Sequence, residues 1–363
     1  MAFDGITAGS FPQETRMTAR PRRRRMAKID DVAHLSGVST ATVDRVLNQR
    51  PGVRAITVQR VLQAAGELGY ITDSTLPAQA LKPWRLAFLL PAGTNRFLGM
   101  LGRSIGASQD RFTSFNMRAR VDYIESFKPD LLAQHLRRVG REVDGIAFMA
   151  IEHPAVREAV DALAERGVPA VTLISDIANT RRVAYVGLDN RSAGRTAGYL
   201  IARFIGARPA KVAMIAGSLS YRAHEEREMG FLHFFEEMFP AIQVVGLREG
   251  HDDEAKNYRQ TKMLLAQHPT LAGIYNIGGG AEGIGRALKE AGRQCEVAFV
   301  GHGLSPDTRA MLIDGTMDAL ITQNPLTSLM DCVTIFSNLR AGRVPAEGTT
   351  RSRTEIILRE NLP

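Results

Sequence analysis

Cysteine is almost missing from this 363-residue chain: only Cys295 and Cys332 occur, 37 positions apart. Two thiols at that separation exclude a disulfide framework and the spacing of a zinc ribbon, and they fit a reducing compartment, the cytoplasm. Long apolar runs are missing too. No stretch approaches the roughly 18–20 residues of a membrane span, and the first 25 residues carry charges without an apolar h-region, so neither a membrane partner nor secretion is expected. Catalytic groupings are equally scarce. His224-Glu225 lacks the second histidine of a zinc protease motif because position 228 is Glu, and no nucleophile stands beside a sequence-evident base. The expectation is therefore no enzyme, no metal and no cofactor.

What is present points to several domains. A hydrophobic content of 44% with 23% charged residues is that of a soluble globular protein, and the length exceeds one small domain. The net charge of +8 is unevenly placed. Residues 1–83 hold 12 Lys/Arg against 7 Asp/Glu, a balance of +5, which leaves +3 for the other 280 residues. A basic front end suits a polyanion such as DNA.

Within that front end the stretch from Ile29 to Asn48 predicts two short helices around a sharp corner. Val32, Ala33 and Leu35 supply one turn with an apolar side, and Gly37 stands where a helix-ending glycine belongs. Ser39 then caps a second helix with Ala41, Val43, Val46 and Leu47 at its apolar positions, while Thr40, Thr42, Asp44, Arg45 and Asn48 project elsewhere. Small residues at the start of the second helix, with an arginine one turn on, are what a helix entering the major groove needs. A third helix, Ala55–Leu68, carries Val58, Val61, Leu62, Ala65 and Leu68 on one stripe.

Asp31-Val32-Ala33, Gly37-Val38-Ser39, Thr42-Val43, Arg45-Val46 and Asn48, followed by Val53, Thr57, Val61 and Gly69-Tyr70-Ile71, resemble the headpiece of the lac repressor (LacI/GalR) family of bacterial transcription regulators. The resemblance implies a sequence-specific binder of a pseudo-palindromic duplex operator, working as a homodimer. Thr40, Ala41 and Arg45 become the base-edge readers, and Ser39, Thr42, Asn48 and Thr57 the phosphate contacts. Asp44 stands where that family usually has serine, and a carboxylate facing phosphates weakens binding unless it pairs with Arg45 or accepts a cytosine amino proton. The family's minor-groove wedge is a leucine on a short hinge helix; Leu81 is the candidate, with Pro77 confined to a first helical turn.

The organisation follows. Residues 1–26, ending in Arg22-Arg23-Arg24-Arg25-Met26, form a disordered basic tail, read either as a phosphate-tracking arm or as a stretch upstream of a true start at Met26. Residues 27–72 are the headpiece and 73–83 a hinge linker. From Trp84 onward ten apolar strands alternate with amphipathic helices, which implies parallel sheets covered on both faces, two of about five strands each. One helix is expected over Leu98–Arg111. This part resembles the family's periplasmic-binding-protein-like (type I) core. The fold expected is an all-α helix-turn-helix headpiece plus an α/β core of two doubly wound subdomains, one of about 84–188 and 323–345, the other of about 189–322 and 346–363. Gly187-Leu188-Asp189-Asn190, Thr322-Gln323-Asn324-Pro325 and the stretch near Pro345 are the expected crossovers.

In such a core a small molecule binds beyond the C-terminal ends of the strands. The resemblance places Asn95 and Phe97 of the family's Asn-x-Phe there, with Arg96 beside them; Asn95 as a helix N-cap and Phe97 as a core residue is the alternative, which does not exclude the first. It adds Arg227 three residues before Gly230-Phe231, and Asp189 and Gln323 at crossovers. Arg222 is a further candidate; a surface salt bridge with Glu225, Glu226 or Glu228 is the alternative for it and for Arg227, and Asp189 has the alternative of capping the helix at Ser192. The family's Gly-Tyr/Phe-Asp is here Gly301-His302-Gly303, and its Asn-Asp is Asn276-Ile277-Gly278, so one sugar-gripping acid is missing. Together with Arg96, Arg222, Arg227 and His302, that favours a sugar acid or sugar phosphate over a neutral hexose as effector. Two other classes stand against the regulator. A solute-binding protein explains only the core. A dehydrogenase explains only Gly278-x-Gly280-x-x-Gly283, whose nearest acid, Glu296, lies at the wrong end of the next strand.

Overall fold

The computed structural model describes residues 27–48, 50, 52–68, 70, 82–206, 208–350 and 352–363. These fall into two compact units, a helical one in the first 80 residues, the front unit, and a large α/β one from Leu81 on.

The front unit is three helices, α1 (Ile29–Ser36), α2 (Thr40–Leu47) and α3 (Ala55–Glu67), around Val32, Val43, Val61 and Ala65. Gly37 ends α1 with a left-handed backbone, φ 65°, and Ser39 Oγ accepts the Thr42 N–H at 3.2 Å to start α2. Leu35 departs from expectation, being 50% exposed. Buried Val32, Ala33 and Ser36 centre the stripe of α1 elsewhere, roughly 100° round a helix that turns 100° per residue. The Ser36 hydroxyl, donating to Val32 O at 2.6 Å, takes the inner place. Ala41 and Leu68 are also exposed rather than packed.

The large unit holds two sheets. In the first, β1 (Trp84–Ala92), β2 (Met117–Glu125), β3 (Gly145–Phe148), β4 (Ala170–Leu173) and β5 (Ala184–Val186) run parallel in the order β2-β1-β3-β4-β5. The second has the order β11-β10-β9-β8-β6-β7, from β6 (Ala210–Ala216), β7 (Ile242–Glu249), β8 (Leu271–Asn276), β9 (Ala298–His302), β10 (Ala319–Thr322) and β11 (Glu355–Ile357). Strands β3, β4, β8 and β10 are buried at every residue, as strands covered on both faces must be.

Three details correct the expected alternation. An eleventh strand, β11, pairs antiparallel with β10; three residues at an edge, of which only Ile357 is buried, leave no periodic signature. The connection from β4 to β5 contains no helix; Ile174, with φ 67°, turns the chain out of β4. The single helix expected over Leu98–Arg111 is two, α4 (Arg96–Ala107) and α5 (Gln109–Ser114), broken at Ser108.

The remaining helices are α6 (Pro129–Val139), α7 (Pro154–Glu165), α8 (Asn190–Phe204), α9 (Arg222–Met238), α10 (Glu254–Gln267), α11 (Ala281–Glu290), α12 (Pro306–Ile313) and α13 (Pro325–Arg340). Cys332, Val333 and Phe336 of α13 lie in the core of the first sheet, although the strands on either side of α13 belong to the second. The chain therefore passes between the sheets three times, after β5, after β10 and after α13, and the cleft between them is built from loops at the C-terminal strand ends.

Candidate ligand cleft and nucleic-acid-facing helix

On the front unit, α2 presents Thr40, Ala41, Arg45 and Asn48 to solvent. Ser39 and Thr42 are tied to each other, their hydroxyl oxygens 2.9 Å apart, with Ser39 also serving as the cap. Thr57 is half-buried in the first turn of α3. Asp44 does not pair with Arg45. It accepts from Asn48 Nδ2 at 2.7 Å and lies 3.4 Å from Arg50 Nη1, both within reach of its own helix face, whereas an adjacent residue points away. Among the described residues Arg45 has no ion pair, so its guanidinium is available to a base edge. Leu81 and Pro77, with the basic tail and most of the linker, lie outside the described residues.

Within the large unit, a cavity of about 50 Å³ lies between the two sheets. At about 10–15 Å³ per water, that is room for a few waters, so a monosaccharide enters only if the loops separate. Its wall includes Asn95 and Phe97 after β1, Arg227 on α9, His302 after β9 and Gln323 after β10. The structure thus brings together five of the residues singled out above. It also brings in Met149, Ile174, Leu188 and His224, which sequence reasoning passed over. His224 had a signal: it sits three residues before Arg227, on the same face of α9.

Four candidates lie outside the cavity wall. Arg96 is mostly exposed and reaches across to Asp307 Oδ2 at 2.7 Å and Glu282 Oε1 at 3.4 Å. Asp189 caps α8, accepting the Ser192 N–H at 2.9 Å. Arg222 is held by Glu226 at 2.7 Å. Asn276 is fully buried and bends back on its own loop, donating Nδ2 to Gly278 O and Gly279 O at 3.0 and 3.2 Å.

Arg227 is the one charged side chain in the wall among the described residues, and it is 8% exposed. Its Nε donates to Asn190 Oδ1 at 2.8 Å and its Nη1 to Ile277 O at 2.9 Å. Among the described residues no carboxylate pairs with it, and burial lowers its affinity for the proton. Asp252 and Glu226 act on it electrostatically without bonding to it, and a buried cation without a bonded counter-ion is costly. The histidines add no charge. Burial pushes His224 down to about 4, and burial followed by the charge of Arg227 pushes His302 well below its usual value. Tyr275, whose hydroxyl burial keeps protonated, is hydrogen-bonded to His302 Nε2 at 2.7 Å. Gln323 Oε1 is buried in the wall with no partner among the described residues. Gly303, φ 79°, lets Phe97 approach; a Cβ there would stand 3.0 Å from the Phe97 Cβ.

The glycine cluster after β8 is explained by packing. A Cβ on Gly278 would stand 2.5 Å from Asp252 Oδ1, and one on Gly283 2.0 Å from Glu254 O. These glycines seat a neighbouring carboxylate and bring α11 against α10.

Residues 28–73 match the family described as bacterial regulatory proteins, lacI family, and residues 129–342 match the periplasmic binding protein domain. The sucrose operon repressor of Vibrio alginolyticus is 41% identical over 73 residues, covering 20% of this chain and 76% of that protein. Catabolite control protein A of Priestia megaterium is 29% identical over 192 residues, 53% of this chain and 55% of that protein, so the match spans about half of that relative. The transcriptional repressor PurR of Pasteurella multocida is 27% identical over 269 residues, 69% of this chain and 73% of that protein. Among solved structures, GanP, a glucose-galactose binding protein from Geobacillus stearothermophilus, superposes with a TM-score of 0.69 at 24% identity over 77% of this chain and 99% of that one, a likeness of fold.

Proposed function

The chain belongs to the lacI family of bacterial regulatory proteins, with a periplasmic binding protein domain as its core, and from that premise we propose that it is a repressor whose grip on operator DNA responds to an anionic sugar. The observation that carries the effector class is Arg227: a buried guanidinium, held in place by Asn190 and the Ile277 carbonyl, with no carboxylate paired to it among the described residues. A carboxylate or phosphate on the ligand supplies the missing charge, and the charge-assisted bonds it forms are the strong kind. Phe97 offers a ring face to the sugar, while Asn95, Gln323 Oε1 and His302 offer hydroxyl partners.

Two chains place two α2 helices on successive major grooves of a pseudo-palindromic operator in the cytoplasm, with Arg45 to guanine as the leading base contact. Thr40 and Ala41 read beside it, and Ser39, Thr42, Asn48 and Thr57 set the register on phosphates. Leu81 is the proposed minor-groove wedge. The ligand shifts repression only by its differential affinity for the open and closed clefts. A solute-binding role leaves the exposed face of α2 without a purpose.

The test is a thermal-shift screen over neutral sugars, sugar acids and sugar phosphates, followed by operator binding with each hit. Stabilisation by acids or phosphates together with a changed operator affinity supports the reading. Binding of neutral hexoses alone rejects the effector class, and indifference to every duplex from its own gene neighbourhood rejects the regulator.

A further inference from the structure

Three residues on the first-sheet side of the cleft converge on one loop of the other side. Thr94 donates its hydroxyl to the Asp252 carbonyl oxygen at 2.6 Å, and Asn95 Nδ2 donates to Asp252 Oδ2 at 2.9 Å. The ring of Phe127 meets the His251 imidazole edge-on, centroids 5.2 Å apart. Both receiving residues, His251 and Asp252, have left-handed backbones, φ 57° and 55°. Consecutive non-glycine residues in that region persist only where their surroundings hold them. Here His251 N donates to Gly217 O at 2.9 Å, and the second Asp252 oxygen takes the Gly279 N–H at 2.7 Å. Space has been left for this carboxylate: a Cβ on Gly217 or Gly278 would stand 2.4 or 2.5 Å from Asp252 Oδ1.

Asp252 is buried yet stands behind the cavity wall, whereas Asn95 is part of that wall. The Asn95 amide is gripped at both ends, its oxygen by the Leu98 N–H at 3.3 Å as a helix cap and its nitrogen by Asp252. One N–H and one lone pair are left for a ligand. We propose that Asp252 is a positioning residue of the ligand site: by tying Asn95 and Thr94 across the cleft it holds the closed form together and fixes the ligand-facing amide in the same act. This deepens the effector-binding reading and rests on it for the meaning of the cavity, but the closure it describes needs neither effector nor DNA to be seen.

The experiment measures the distance between nitroxide labels at Arg103→Cys on α4 and Ala310→Cys on α12, in a Cys295→Ser background of the full chain, by pulsed electron paramagnetic resonance. The parent should populate mainly the short distance. Thr94→Val removes one hydroxyl at an exposed position and should lower the short-distance population at least twofold. Asn95→Asp sets two carboxylates against each other and should lower it at least fivefold. Adding Asp252→Asn to Asn95→Asp restores a donor and an acceptor with roles exchanged, and should return the distribution to near that of the parent. A short-distance population unmoved by both Thr94→Val and Asn95→Asp overturns the proposal, as does a double variant no more closed than Asn95→Asp although it melts like the parent. Failure of the regulatory reading shows separately, as an unlabelled parent that ignores all DNA while this pattern of closure stands.

Discussion

The Arg227 guanidinium donates its Nε–H to Asn190 Oδ1 at 2.8 Å, and the Asn190 amide nitrogen in turn donates to the Tyr185 hydroxyl at 3.0 Å. A buried cation is thereby aimed by a neutral amide at the start of α8, just after the chain crosses between the sheets. Orientation comes from neutral partners, while the carboxylates of Asp252 and Glu226 act on the charge without bonding to it.

The first expected outcome concerns that residue. Arg227→Ala should abolish calorimetric binding of the anionic effector, a loss of about 2–5 kcal/mol for truncating one member of a buried charge pair. The effector-free affinity for operator should stay within twofold of the parent. Retained sugar binding by the variant would remove Arg227 from the site.

Acid should loosen the large unit through its buried histidines. His224 is neutral in the fold, with its value lowered to about 4 chiefly by burial, while an unfolded histidine titrates near 6.5. Below 6.5 the unfolded chain takes up a proton that the folded one refuses, so stability is full above about 6.5 and falls as pH drops toward 4. At 1.36 kcal/mol per unit, this single site is worth roughly 3 kcal/mol across that window. His302, lowered by the same cause, adds in the same direction. Urea midpoints at pH 7, 6 and 5 should decline, and His224→Gln should flatten the decline. A midpoint independent of pH would mean that His224 takes up its proton as readily in the fold as in the unfolded chain.

Much of the fold was legible because parallel strands covered on both faces must be apolar throughout; the runs around Phe88, Phe148, Ile274 and Leu320 announce themselves that way. Strand β11 was not, since pairing at an edge through three residues needs no pattern. In the cleft, Asn95, Phe97, Arg227, His302 and Gln323 could be found from motif positions at strand ends. Arg222 already carried the alternative of a salt bridge to a neighbouring glutamate, and its pair with Glu226 is of that kind; Arg96 could not be sorted, because the carboxylates that capture it, Glu282 and Asp307, lie far along the chain. Asp252 was out of reach for a different reason. Its partner Asn95 lies 157 residues away, and its seat is made by glycines on two further loops.

On the front unit, Arg45→Ala should relax discrimination at one base pair by about 1–3 kcal/mol with little change elsewhere in the operator. A binding assay over a library of single-base operator variants reads this directly. An unchanged preference at every position would mean that α2 sits in the groove in a different register.

Asp44 acts on the opposite term. It pairs with Arg50 at 3.4 Å, withdrawing that cation from a phosphate backbone, and adds a negative charge of its own. Asp44→Ala should therefore strengthen non-specific duplex binding and steepen its dependence on salt, by about 0.9 in the log–log slope for each further phosphate that the freed cation neutralises. Equal slopes for parent and variant would mean that Arg50 never reaches a phosphate.

Two glycine-to-alanine changes should differ in sign. In α4, Gly106 has nothing within 4 Å of a would-be Cβ. Alanine there removes backbone freedom from the unfolded chain and should stabilise by about 0.5–1 kcal/mol. At Gly278 the same methyl would stand 2.5 Å from Asp252 Oδ1 and 2.9 Å from Gly217 N, where the carboxylate is already held by Asn95 and Gly279 and the other atom is backbone. Neither can retreat without breaking a hydrogen bond, so Gly278→Ala should destabilise by about 1–3 kcal/mol, the usual cost of overpacking. Denaturant melts of the two variants beside the parent decide it. If Gly278→Ala melted with the parent, the cluster after β8 would be free space, and its glycines would have to be explained by a ligand that approaches the backbone there.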